Sequence, residues 1–234
     1  MKCPKVAIAL LASALFVMMG LWAPSAWAHR PIFSSPPAHT SAESALQLPD
    51  IDISRAIYRT APEAEPFWVI IHDGQGAMLR VQLGVPQIER LERFRPRFIL
   101  IGPGLPNRDP LPSEIEAPSD VGAAVFHTTP VEAPRVFHEE ITGTTSWVLF
   151  ARSFRLPQTG PYQLVVHVNG PGKYWLSVGE REAFGVADIA RVPYWTDRVR
   201  SFHEIDGWPA WLLVTTIGLT LLVLGAIWIG VRSL

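Results

Sequence analysis

The chain has 234 residues, with 20 Lys+Arg against 21 Asp+Glu, a formal net charge of -1 and 18% charged residues. Ordinary globular chains carry about 25% charged residues, and the deficit here sits at the two ends. The near-neutral balance excludes nucleic acid as a partner, which would call for a strong basic surplus. The single cysteine, Cys3, falls in a predicted leader, which leaves no Cys nucleophile, Cys zinc site or iron–sulfur cluster in a processed chain.

Lys2 and Lys5 precede an apolar run from Val6 to Trp22, followed by Ala26-Trp27-Ala28. A basic n-region, an apolar h-region and a small-x-small site predict a signal peptide over 1–28, with an uncleaved anchor helix as the alternative. Cleavage makes His29 the first residue. Residues 29–50, rich in Pro, Ser and Ala, read as an extended N-terminal arm.

Residues 51–179 then carry short apolar or alternating runs: Phe67–His72, Met78–Val85, Arg97–Ile101, Gly122–His127, Trp147–Leu156, Tyr162–Val168 and Lys173–Val178. Short strands punctuated by Gly, Pro and Asn predict an all-β, jelly-roll-like antiparallel β-sandwich. Leu79, Val81, Leu83 and Val85 make one apolar row; Tyr162, Leu164, Val166 and Val168 make another; Tyr174, Leu176 and Val178 return after Asn169-Gly170-Pro171-Gly172. That turn is expected to keep the last two rows in one sheet, with His167 and Trp175 as neighbours on its other face.

The stretch from 102 to 120 holds prolines at 103, 106, 110, 112 and 118. A long loop of this kind is often functional, and Pro103 and Leu105 are candidate partner contacts. A rigid excursion packed by its own Leu and Ile is the alternative. Arg90, Arg93, Arg95 and Arg97 form a second candidate surface, suited to phosphate or carboxylate, unless Glu89 and Glu92 neutralise it locally.

Residues 180–206 turn helical and aromatic. Tyr194, Trp195 and Phe202 on one face, with arginines beside them, suggest a juxtamembrane amphipathic helix; a helix packed on the sandwich is the alternative. Residues 207–231 are uncharged. As a helix they would span about 37 Å, enough for the ~30 Å hydrocarbon core, with Trp208, Trp211 and Trp228 as interfacial anchors. Residues 232–234 then form a cytoplasmic tail. The layout is that of a single-pass type I protein of a bacterial membrane, its domain in the periplasm or outside the cell, held in the lipid bilayer by its C-terminal helix.

From about Arg55 to Val178 the words FWVIIHDGQGAMLRVQL, RFILIGPG and LPQTGPYQLVVHV followed by KYWLSVG resemble the bacterial pre-peptidase C-terminal domain, which implies a jelly-roll-like sandwich. The layout, with HRPIF opening the processed chain, also resembles a family of bacterial membrane-anchored proteins. Neither resemblance implies a catalytic residue.

The sequence carries no nucleophile elbow, zinc helix, Walker loop or dinucleotide fingerprint. The words His138-Glu139-Glu140 and His203-Glu204 lack a second histidine. Asp50-x-Asp52-x-Ser54 lacks the Gly and distal Glu of a calcium loop and reads as a turn. The leading expectation is a non-catalytic envelope protein that binds another protein or a glycan. The alternative is copper: a terminal His29 offers its amine and a ring nitrogen, with His39, His72, His127, His138 or His167 as second ligand.

Overall fold

In the computed structural model the described residues are 29–106, 110–128, 134–209, 216–218, 220, 223–225 and 228. The chain divides into two units, Ala28–Asp206 and a second made of Met1–Trp27 with Gly207–Leu234. The first unit holds two sheets. One contains β1 (Arg30–Ser34), β3 (Arg55–Ala61), β5 (Met78–Pro86), β8 (Arg135–Glu139), β9 (Thr144–Arg155) and β11 (Gly172–Val178), in the order β1-β3-β11-β5-β9-β8. The other contains β2 (Leu46–Leu48), β4 (Glu65–Asp73), β6 (Arg97–Gly102), β7 (Gly122–Phe126) and β10 (Gly160–Val168), in the order β2-β4-β10-β6-β7.

Period-two alternation builds the core. Leu79, Val81, Leu83 and Val85 of β5, with Tyr174 and Leu176 of β11, share one core with Leu164 and Val166 of β10, Phe67 of β4 and Phe98 of β6. The pairs β1–β3 and β2–β4 are parallel, and every other paired strand is antiparallel. Within residues 29–50, β1 extends one sheet and β2 the other.

The turn Asn169–Gly172 links different sheets. β10 pairs with β4 and β6, whereas β11 pairs with β3 and β5. Both apolar rows face one core, but from opposite sides. His167 and Trp175, expected as neighbours, lie on opposite outer faces of the sandwich.

The proline-rich loop follows the packed alternative. Ile115 is buried, and Leu111, Ala117 and Val121 pack with it against Trp68, Ile99, Ile101 and Val165 on the outer face of the second sheet. Two short helices follow β11: α1 (Val186–Ile189) and α2 (Val192–Phe202). Val199, Arg200 and His203 are buried, and the Phe202 ring meets Tyr58 edge-on at 5.1 Å. The apolar face expected at a bilayer is thus largely spent on the first sheet, and only Tyr194 stays widely exposed.

Among the described residues no helix is long and apolar enough to cross a membrane. Most of 207–231, including Trp211, and the leader 1–28 lie outside the described residues.

An ion pair joins the two sheets. Arg59 of β3 is fully buried; its Nε donates to Glu65 Oε1 at 2.8 Å and its Nη1 to Ser34 Oγ and the Ala38 carbonyl, each at 2.9 Å. Removing one partner of a buried pair typically costs about 3–5 kcal/mol, because the other charge stays buried without compensation. Arg59→Leu is therefore expected to lower the stability of the 28–206 unit by about that amount in denaturant unfolding. The double variant with Glu65→Leu is expected to recover most of it.

Candidate functional site

The first sheet turns its outer face toward α1 and α2. Period two sends Ala56 and Tyr58 of β3 and Trp175 and Ser177 of β11 outward. Register sets Trp175 across from Gly84. A side chain at Gly84 would overlap the Trp175 indole and stand 2.9 Å from the Trp147 carbonyl oxygen, so only glycine lets the ring lie across β5.

Having crossed β5, the indole Nε1–H donates to Ser146 Oγ of β9 at 3.0 Å. Ser146 in turn lies 3.0 Å from His203 Nε2, at the end of α2. The other ring nitrogen of His203, Nδ1, lies 2.8 Å from the Val199 carbonyl, which can only accept. This assigns the proton to Nδ1 and leaves Nε2 to accept from the Ser146 hydroxyl. Every group in the chain Trp175–Ser146–His203–Val199 is thereby satisfied in one direction. Burial lowers the His203 pKa from 6.5 to about 4, the Val199 carbonyl opposing and the Lys173 charge adding to the fall.

A second latch closes the same helix end. Glu204 binds both guanidinium nitrogens of Arg90 and sits 2.8 Å from Lys173 Nζ. These cations hold the Glu204 carboxyl down to about 2.

Between sheet and helices lies a cleft of about 70 Å³. Its walls are mainly apolar: Tyr58, Phe137, Ile141, Trp175, Trp195 and Val199. His29 lines it as well, with Nδ1 bonded to Ser54 Oγ and Nε2 3.4 Å from Ser177 Oγ. Burial lowers the His29 pKa to about 4, so the ring is neutral at pH 7. His203 lines the cleft too, although its word in the sequence, His203-Glu204, lacks a second histidine. Its signal was weak: Val199 four residues before it and Phe202 beside it mark a helix end that turns inward.

None of the five histidines named as second copper ligand lines this cleft. His39 bonds the Ser44 carbonyl at 2.6 Å. His72 and His127 are exposed. His138 meets Thr145 Oγ1 at 3.1 Å on edge strand β8. His167 is buried on the far sheet and bonds Glu114 of the proline-rich loop. Nor does His203 share a metal with His29. Their hydroxyl partners, Ser146 and Ser177, stand opposite Pro86 and Gln82 of β5. Four residues along a strand separate positions by about 13 Å. Among the described residues no three His, Cys, Asp or Glu side chains gather where they could hold a metal ion.

The arginine cluster divides. Arg90 is engaged by Glu204, and Arg95 Nη1 donates to the Phe94 carbonyl at 2.9 Å. Arg93 is exposed, and Arg97 opens β6 opposite His167. Pro103 accepts from the Tyr162 hydroxyl at 2.9 Å, and Leu105 packs on the core, so both have structural work. The Asp50–Ser54 word is a turn: the Asp52 carbonyl accepts from the Glu180 and Arg181 amides at 3.0 and 2.8 Å.

No protein-family model matches the chain, and no curated protein sequence matches it. Among the solved structures similar to it are three bacterial proteins. PliG of Aeromonas hydrophila, a periplasmic inhibitor of g-type lysozyme, is 14% identical, with 65% of this chain and 98% of that one covered and a TM-score of 0.31. CorA of Methylomicrobium album BG8, a surface-associated copper-binding protein, is 10% identical over 64% of this chain and 100% of its own, with a TM-score of 0.31. The secreted protein MopE of Methylococcus capsulatus, where an oxidised tryptophan facilitates copper binding, is 10% identical over 66% and 100%, with a TM-score of 0.28.

The histidine in the relay makes folding acid-sensitive. Above pH 6.5 His203 is neutral in both folded and unfolded chains, and its contribution is complete. Below 6.5 the unfolded chain takes up a proton that the folded one refuses until about pH 4. The stability lost between pH 7 and pH 5 through this group is about 2 kcal/mol. Urea unfolding at the two pH values is expected to show a drop that includes this amount in the parent and lacks it in His203→Gln.

Proposed function

We propose that the chain is a non-catalytic binding protein of the bacterial envelope, tethered by its C-terminal apolar stretch with the sandwich on the extracytoplasmic side. The observation that carries this reading is a coincidence of boundaries. The folded unit runs from Ala28 to Asp206, while the leader pattern ends at Ala28 and the uncharged stretch begins at Gly207. Within that stretch the helical residues Ile217, Val223, Leu224 and Trp228 are exposed, as lipid-facing side chains are. The binding role is supported by the cleft, where apolar side chains of sheet and helix stay open to solvent.

The test is expression of the full chain in a Gram-negative host. The expected product sits in the membrane fraction, begins at His29 by mass spectrometry, and loses its sandwich to protease added to spheroplasts. Recovery of an uncut chain, or of a sandwich protected until the membrane is lysed, overturns the reading.

Copper at His29 makes a different demand. A terminal histidine chelates through its α-amine and Nδ1, and here Ser54 holds Nδ1. Copper(II) titrated into the 29–205 unit is expected to bind no more tightly than to the His29→Ala variant. Tight one-to-one binding lost in that variant would restore the copper reading.

A further inference from the structure

We infer that the outer edge of β8 is a docking site for β8 of a second copy of this chain, the two strands running antiparallel about a two-fold axis at Phe137. β8 ends its sheet: β9 pairs with one side of it, and among the described residues no strand pairs with the other. Arg135, Val136 and His138 are exposed, Val136 with 54% of its surface open. The Glu139 carbonyl accepts from the Gly143 amide at 2.8 Å inside the β8–β9 hairpin, so its backbone groups turn toward β9. Alternation then points those of Arg135 and Phe137 the same way, and those of Val136 and His138 outward. Open amides and carbonyls on an edge are a template for another strand. No lysine, proline or bulge interrupts this one.

The residues of the strand select the occupant. It reads Arg-Val-Phe-His-Glu, with opposite charges at its two ends. An antiparallel pairing centred on Phe137 sets Arg135 of each copy opposite Glu139 of the other, so the charge pair forms twice. It also sets Phe137 opposite itself and Val136 opposite His138, and these last two exchange backbone hydrogen bonds across the axis. A parallel pairing in the same register would align Arg135 with Arg135 and Glu139 with Glu139. Both charges have capacity left for the contact. Arg135 Nη2 donates to Gln82 Oε1 at 3.1 Å, which leaves most of the guanidinium donors open. Glu139 accepts from the Ile141 and Thr142 amides and the Thr142 hydroxyl, bonds that fix the carboxylate at the strand end with a further lone pair to offer. Docked in this way, two six-stranded sheets run on as one. Five residues a side fall well short of the roughly 20–30 of a standard interface, so the pair is weak and depends on concentration.

The experiment uses the full chain in detergent micelles, with Cys3→Ser so that every thiol is an introduced one. Val136→Cys and His138→Cys chains are oxidised separately and as a mixture. The mixture is expected to give a disulfide-linked dimer joining 136 to 138, identified by mass spectrometry, and neither chain alone to give more than traces. Equal cross-linking of either chain with itself, or none in the mixture, overturns the proposed pairing. Sedimentation equilibrium of the Cys3→Ser chain is expected to show monomer and dimer, with Arg135→Glu weakening the dimer about tenfold or more, because two attractive pairs become repulsive. Mixing Arg135→Glu chains with Glu139→Arg chains rebuilds both pairs, and the mixed dimer is expected to regain the parent affinity. Glu139→Arg also gives up the turn amides; the cross-links and Arg135→Glu decide the matter should that variant not fold. A chain that stays monomeric at every concentration overturns the inference. So does a dimer indifferent to Arg135→Glu, which places the contact elsewhere in the chain. Neither result bears on processing or membrane orientation, which the protease experiment decides separately.

Discussion

A cation with no route to water sits where the two sheets and the N-terminal segment meet. The Arg59 guanidinium is fully buried and stacks 4.7 Å from the Phe67 ring. Desolvating such a charge is tolerable only if its donors are met. Glu65 at the start of β4 accepts from Nε, and Ser34 at the end of β1 and the Ala38 carbonyl beyond it accept from Nη1, while Nη2 stays within 2.8 Å of the Glu65 carboxylate. Each comes from a different segment, so satisfying one guanidinium positions β1 beside β3, brings β4 across the core and directs the chain toward β2. An apolar side chain at 59 would impose no such geometry.

The helix on the outer face is docked by the same logic on a smaller scale. Trp175 reaches Ser146 because Gly84 has no side chain in its way, and Ser146 then meets His203. Glu204, with Arg90 and Lys173, holds the helix end from the exposed side. Polar contacts at one end and apolar ones along Val199 and Phe202 leave an incompletely filled seam between helix and sheet. The cleft is that seam, and its floor is the outer face of the first sheet.

Among the described residues, seven of the eleven strands were legible in the sequence because each carries a clean apolar row. The other four hide for separate reasons. β3 places Arg59 in its inward row, so its alternation looks broken. β1 and β2 lie at sheet edges in a segment full of Pro and Ser, and β8 is an edge strand with Val136 exposed. Tyr194, Trp195 and Phe202 announce an amphipathic helix in either setting, and an apolar stripe does not say whether lipid or a β-sheet will cover it. Trp175 and Ser146 together decided it, and they lie 29 residues apart.

The sequence by itself determined the all-β character of 51–179, the apolar rows of the core, and the uncharged character of both ends. These are local properties, because side-chain period and hydropathy are written in consecutive residues. Only the tertiary structure decided which sheet each strand joins, that His167 and Trp175 lie on opposite faces, and that His29 and His203 rather than any predicted pair line one cleft. The reason is physical. A short turn joins two strands equally well within a sheet or across a core, and the choice is made by pairing partners and buried charges far away in the chain.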